Sequence, residues 1–220
     1  MDGIVDFYNQ LAKNYDANRF GNSYGKFIDK QERIILTRLI DKNKKVVDLA
    51  CGTGRLLDFA TIGIDAGKEM IEIAQKKFPD KTLLLSDAES LPLEENSVDT
   101  VFSFHFFMHL SEEKIGRILD ECSRVLKKNG QLIFDIPSRK RRKMFRYKAE
   151  SWHGAQSFTK AEVKSLHPDF VYKKMAGIVF LPIHRFPKFS RQFFTKLDLF
   201  VGNIFFKEYA SYLIVVLEKK

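Results

Sequence analysis

Three aspartates, Asp48, Asp65 and Asp87, each close a short apolar run, and each can hold a polar ligand. A carboxylate at the end of Gly63-Ile64-Asp65 can accept two hydrogen bonds from a ribose diol, a bidentate and charge-assisted contact; Asp65 can equally cap the helix that follows it. Asp87, in Leu85-Ser86-Asp87-Ala88, can accept from an exocyclic amine such as adenine N6, or sit in a solvated turn. Between Asp48 and Asp65 lies Cys51-Gly52-Thr53-Gly54, whose glycines let the backbone turn tightly and approach a ligand. Leu57 stands where a dinucleotide fingerprint wants a third glycine, and no Lys-Ser/Thr pair follows as a P-loop requires. Farther on, Phe104-His105-Phe106-Phe107-Met108-His109 supplies the two general-base candidates of the first half, His105 and His109. Among aromatics, either can also be a hydrogen-bonded structural histidine. The histidines and acids show no metal-ligand spacing, so no metal is expected.

These residues need a scaffold that brings strand ends together. Short β-branched or apolar runs at 45–51, 61–65, 82–85, 97–104, 131–136, 177–181 and 211–218 predict seven strands, with helical patterns over 30–41, 69–78 and 111–128 between them. Ser111 caps the last of these helices, its apolar residues share one face, and Gly130 fits a left-handed stop. Only a short helix fits in 55–60, and Thr159 with Glu162 forms a capping box for a helix running to about Leu166. Strands alternating with helices predict an α/β fold, a mostly parallel sheet with helices on both faces and an antiparallel last strand. In such sheets ligands sit at the carboxyl ends of the strands, where the three aspartates fall.

In order, Val47-Asp48-Leu49-Ala50-Cys51-Gly52-Thr53-Gly54, Gly63-Ile64-Asp65 with Met70, Asp87-Ala88-Glu89-Ser90-Leu91-Pro92 and Arg124–Leu132 resemble the class I S-adenosylmethionine-dependent methyltransferases of the small-molecule type. Tyr8–Asp16 is similar to the lid that often precedes that core. The resemblance implies a Rossmann-like, doubly wound sheet and S-adenosylmethionine as cofactor, with S-adenosylhomocysteine as product. It implies that Gly52 and Gly54, with Ala50 and Cys51, approach the methionine part and that Asp48 anchors its amino group. Asp65, with Ala66, would hold the ribose, Met70 would pack on the adenine, and Asp87 with the Ala88 amide would take the adenine amine. Phe104 and His105 would line the methyl-donor end, and Tyr15 and Arg19 would close over the carboxylate. One departure is visible: ten residues separate Gly54 from Asp65, a turn or two fewer than is usual.

With 220 residues, 45% of them apolar and 30% charged, the chain reads as one globular domain: a lid over 1–30, a cofactor core over 31–137, a basic connection over 138–158 and an aromatic insertion over 181–208. Two cysteines exclude a disulfide scaffold, and no leader or spanning segment is visible, so a cytoplasmic protein, monomer or homodimer, is expected. The net charge of +9 is uneven: residues 1–137 carry −3 and residues 138–220 carry +12. Seven of the ten residues 139–148 are cationic, and a phenylalanine-rich stretch over 181–206 is interleaved with Arg185, Lys188, Arg191 and Lys196. Arg139, Arg141, Arg142, Trp152 and His153 are therefore acceptor-site candidates, and the two segments fit a phosphorylated ligand or an anionic lipid surface. The expected reaction is methyl transfer to N or O of a small-molecule, lipid-linked or phosphorylated acceptor. An RNA methyltransferase and a cofactor-binding, non-catalytic regulatory protein are the alternatives.

Overall fold

The computed structural model describes residues 2–149, 151–203 and 206–220. Seven strands form one sheet: β1 (Val46–Leu49), β2 (Ile62–Asp65), β3 (Thr82–Leu85), β4 (Val98–Ser103), β5 (Leu126–Pro137), β6 (Phe170–Ile178) and β7 (Tyr212–Lys219), in the order β3-β2-β1-β4-β5-β7-β6. The pairs from β3 through to β5 are parallel, and β7 runs antiparallel to both of its neighbours. The order reverses at β1, with β2 on one side and β4 on the other, which opens a crevice at their carboxyl ends.

Strand alternation builds two cores. Val47, Val101, Phe134 and Val215 point to one face, Val46, Phe102, Ile133 and Val216 to the other. The first face is covered by α5 (Glu112–Val125), whose Ile115, Ile118, Leu119, Cys122 and Val125 are buried. The second is covered by α3 (Ser23–Leu39) through Phe27, Ile28, Ile35 and Leu36. Ser111 caps α5 by accepting from the Lys114 amide, but Gly130 does not stop it. The helix ends at Leu126 in extended conformation, and Asn129, at φ 62°, makes the left-handed turn inside β5. The short first crossover is a single 3₁₀ turn, Leu57–Phe59.

Two short helices, α1 (Asp2–Leu11) and α2 (Tyr15–Phe20), lead into α3; α4 (Lys68–Lys77) follows β2. Past β5 come α6 (Arg139–Met144), α7 (Lys160–Lys164), entered through the Thr159–Glu162 capping box, and α8 (Arg191–Asn203). A buried polar knot fastens α8. Asp198 accepts from Gln31 Nε2 at 2.7 Å and from the Phe180 and Leu181 amides, while Gln31 Oε1 accepts from the amide of Val179. Val179 is held at φ 57°, a costly conformation for a β-branched residue, by these bonds around it.

Candidate functional site

The carboxyl ends of β1, β2 and β4 line a cavity roofed by Ile4, Val5 and Tyr8 of α1 and by Tyr15 and Phe20 of α2. Its free space, mouth included, is about 1030 Å3. Asp48 forms the floor, 3% exposed, and makes no hydrogen bond among the described residues. Burial pushes its carboxyl well above the usual range, with Asp65 adding to the shift and Arg55 opposing it. Asp65 is engaged on both oxygens, accepting from the Gly52 amide and from the Gly67 amide, each at 2.7 Å. Burial also raises Asp65, and those amides hold it down in part. Asp65 is not the cap of α4: the cap position is Gly67.

The cavity accepts a nucleoside-type ligand on three grounds. The two amides on Asp65 use two of the roughly four lone-pair positions of a carboxylate, which leaves acceptors for a diol. Gly52, at φ 54°, has open space where a Cβ would stand, with only Met70 Sδ at 3.9 Å. Asp48 is a buried carboxylate that a ligand ammonium would neutralise.

Ala50, Cys51, Ala66, Met70, Ala88, Phe104 and His105 all line this cavity, as does Tyr15. Three expected cofactor residues do not. Gly54, at φ 84°, is a packing residue, since a Cβ there would meet Leu57 at 2.8 Å and Phe78 at 3.2 Å. The Asp87 carboxylate caps its own turn by accepting from the Glu89 amide at 2.9 Å, and Ser86 and Ala88 form the wall beside it. Arg19 lies in a neighbouring cavity. Neither thiol is reactive: burial raises Cys51 well above its ordinary value and takes Cys122 up to about 12.

The two histidines are held by different partners. His105 has φ 57°, and its backbone amide donates to Asp135 Oδ1 at 2.6 Å. Its Nε2 lies 2.8 Å from Glu32 Oε1 and its Nδ1 lies 3.5 Å from Asp135 Oδ2, so both ring nitrogens face buried carboxylates. One donor-type atom from each of Glu32, His105 and Asp135 falls within 4.8 Å of the others, a grouping that no spacing in the chain displays. The carboxylates approach opposite edges of the ring, which makes the trio a bridge across the imidazole. Arg55 anchors its far side, 2.7 Å from Glu32 and 2.7 Å from Asp29, with its guanidinium 4.1 Å from the Phe20 ring centroid. Burial would raise Glu32, but Arg55 and His105 outweigh it and bring it down to about 2. His109 accepts from the Gly154 amide on Nδ1 at 2.8 Å, so its Nε2–H donates to Tyr8 Oη at 3.1 Å. Burial, reinforced by His153, His105 and Arg19, lowers it to about 3 and keeps it neutral.

The adjoining cavity, with about 640 Å3 of free space, is lined by Phe7, Leu11, Asn18, Arg19 and His153, and shares Tyr8, Tyr15, His105 and His109 with the first. Trp152 stands at its edge, packed on Phe7 and His109 at ring separations of 5.6 and 5.7 Å. His153 is thus brought to the second cavity and Trp152 packs on residues that line it, whereas the arginines of α6 line neither. Arg139 pairs with Glu162 and donates to the Ser157 carbonyl. Arg141 donates to the Tyr209 carbonyl at 2.8 Å, and Arg142 to the Ala155 and Gln156 carbonyls. They fasten the segments that follow β5, which leaves these three little capacity for phosphate.

Arg55, Glu32 and Asp135 are site residues that the sequence reading missed. Asp135 had a signal: a lone carboxylate inside the apolar run Leu132-Ile133-Phe134-Asp135-Ile136 must be satisfied or functional. Glu32 sits on the apolar face of α3 near Ile28 and Ile35, a second charge out of pattern.

This topology, with its crevice at the switch point, is the Rossmann-like methyltransferase architecture. Residues 47–134 match the family described as methyltransferase domain. The chain is 36% identical over 136 residues to an uncharacterized protein of Methanocaldococcus jannaschii, a match covering 61% of this chain and 51% of that protein. It is 27% identical over 222 residues to a demethylmenaquinone methyltransferase of Thermotoga maritima, covering 90% and 94%. A solved Thermotoga maritima structure, described as an S-adenosylmethionine-dependent methyltransferase and possible histamine N-methyltransferase, superposes with a TM-score of 0.65 at 20% identity, covering 98% of this chain and 97% of that one. The match over residues 47–134 and these relatives support a class I S-adenosylmethionine-dependent methyltransferase, with S-adenosylmethionine as the cofactor. No helix of the described residues is long and apolar enough to cross a membrane.

Proposed function

We propose that this chain transfers the methyl group of S-adenosylmethionine to an apolar, ring-bearing small molecule. The observation that carries this reading is the meeting of two cavities, one walled by aspartates and glycine-loop amides, the other by aromatic rings, at Tyr8, Tyr15, His105 and His109. The cofactor supplies an activated methyl group on sulfur, so the protein need only align a nucleophile and exclude water. In this reading Asp48 holds the cofactor's ammonium, the free lone pairs of Asp65 take the ribose diol, and Met70 with Ala66 and Ala88 encloses the adenine. Phe104 and His105 flank the methyl group, and Tyr15 closes over it. The likeness to a demethylmenaquinone methyltransferase over 90% of the chain supports a quinol-type acceptor.

A peripheral contact with an anionic membrane surface belongs to the same reading. Phe189, Phe193 and Phe200 are exposed, Phe189 by 91%, at helix-like spacing along the start and length of α8, with Lys196 exposed between them. Two measurements test the reading. Calorimetry should give micromolar S-adenosylhomocysteine binding that Asp65→Ala weakens at least tenfold, the loss of charge-assisted bonds being of order 1.5–3 kcal/mol. Methyl-labelled cofactor, incubated with a demethylated naphthoquinol in anionic vesicles, should pass label to the organic extract; an unlabelled extract would remove the quinol acceptor.

A further inference from the structure

Arg19 is a charged side chain without a partner among the described residues. It is partly buried and lines the second cavity, yet among the described residues its guanidinium makes no salt bridge and no side-chain hydrogen bond. No carboxylate of the described residues lines that cavity. Glu32 and Asp135 lie on the two ring nitrogens of His105, and Glu32 is already paired with Arg55. The groups around Arg19 cannot serve as counter-ions. Burial raises the hydroxyls of Tyr8, Tyr15, Tyr24 and Tyr212, which therefore stay protonated, and it lowers His109 and His153, which stay neutral. The chamber thus carries one fixed positive charge between aromatic walls. Such a site disfavours a cationic amine and leaves the charge for the ligand to neutralise.

We infer that Arg19 is a specificity-determining residue that pairs with an oxyanion on the acceptor, and that the acceptor is an aromatic compound bearing an acidic hydroxyl. The inference rests on the methyltransferase reading and names the substrate class of its second cavity. It also gives the acceptor its nucleophile without a histidine base: both ring nitrogens of His109 are hydrogen-bonded, and those of His105 lie against the buried carboxylates of Glu32 and Asp135. The hydroxyl proton goes to water as the oxyanion forms against Arg19. The oxyanion, or the ring carbon conjugated to it, then bonds to the methyl carbon while the carbon–sulfur bond breaks. The electron pair of that bond stays on sulfur, giving a neutral thioether. When carbon is the acceptor atom, its ring proton follows to water.

The test uses the full chain saturated with S-adenosylhomocysteine, with 1-naphthol and 1-naphthylamine as probes. Wild type should bind 1-naphthol and shift its absorption toward that of the naphtholate, and should bind 1-naphthylamine far more weakly. Arg19→Gln should abolish the spectral shift and weaken naphthol by ~10-fold or more, as loss of a charged hydrogen bond requires. Arg19→Lys should restore part of both, because it keeps the charge and loses the planar fork. S-adenosylhomocysteine affinity and melting temperature should be unchanged in both variants. A wild type that shows no naphthol-dependent shift, or that binds the amine equally well, overturns the inference. So does a parallel loss of S-adenosylhomocysteine binding in Arg19→Gln, which would assign Arg19 to the cofactor. Failure of wild type to bind S-adenosylhomocysteine at all would instead remove the reading beneath it.

Discussion

Asp48 shows how a binding site is kept at the expense of the fold. Its carboxyl is buried without a hydrogen bond among the described residues, and burial raises it well above its ordinary value. A carboxyl raised in the folded state binds its proton more tightly there than in the unfolded chain. Stability is therefore lost as pH rises from the unfolded value through the folded one. Asp48→Asn removes that loss. The variant should melt at the same temperature as wild type in acid and above it at neutral pH, by roughly 2–4 °C for each kcal/mol recovered in a chain of this size. Cofactor affinity should fall in the same variant, since the amide cannot neutralise an ammonium. Thermal melts across pH with calorimetry at neutral pH check both halves, and a variant less stable than wild type at neutral pH would count against a ligand-facing Asp48. Residue type alone made the three aspartates legible, but their division of labour was not. Asp65 and Asp87 each accept from the amide two residues on, but only Asp65 also lines the cavity, a difference set by where the chain carries each turn.

At the scale of elements, the lid is tied to the glycine loop by side chains rather than by packing alone. Thr53 Oγ1 donates to Asp16 Oδ1 at 2.6 Å, and Lys77 bonds both Asp16 and the Thr53 carbonyl. These contacts hold α2 over the cavity, so lid opening must break them. Asp16→Ala should therefore speed release of S-adenosylhomocysteine several-fold in stopped-flow displacement and leave the melting temperature nearly unchanged, because exposed pairs contribute about 0–1 kcal/mol. Release at the wild-type rate would mean that the aromatic contacts of Tyr8 and Tyr15 alone close the lid. The strands and long helices could be read from periodicity, while their ends shifted where backbone geometry took over. The helix stops at Leu126 in extended conformation, and the left-handed residue is Asn129, inside β5, rather than Gly130, a conformation that asparagine also adopts.

For the whole molecule, the uneven charge has divided into two uses. The half-buried cations Arg139, Arg141 and Arg142 are engaged by Glu162 and by carbonyls of the segments after β5. The outward aromatic stripe on and before α8 remains, with Lys196 and Arg185 exposed near it. Vesicles rich in anionic lipid should sediment the protein, and changing Phe193 and Phe200 to Ser should reduce the bound fraction without lowering the melting temperature, because both rings are already in solvent. Raising salt should weaken binding further, as screening requires. Equal sedimentation with neutral and anionic vesicles, or none with either, would remove the membrane surface from the proposed function.

By itself the sequence determined the α/β class, the strand-end aspartates and the glycine turn, because these depend on local periodicity and on residue chemistry within a few positions. Only the tertiary structure decided what each charged group does. Glu32, Arg55, His105 and Asp135 are separated by up to 103 positions and meet only when α3 packs across the ends of β4 and β5. The same packing left Arg19 among tyrosines, without a counter-ion among the described residues. Charge pairing acts through space at a few ångströms, and distance along the chain carries no record of it.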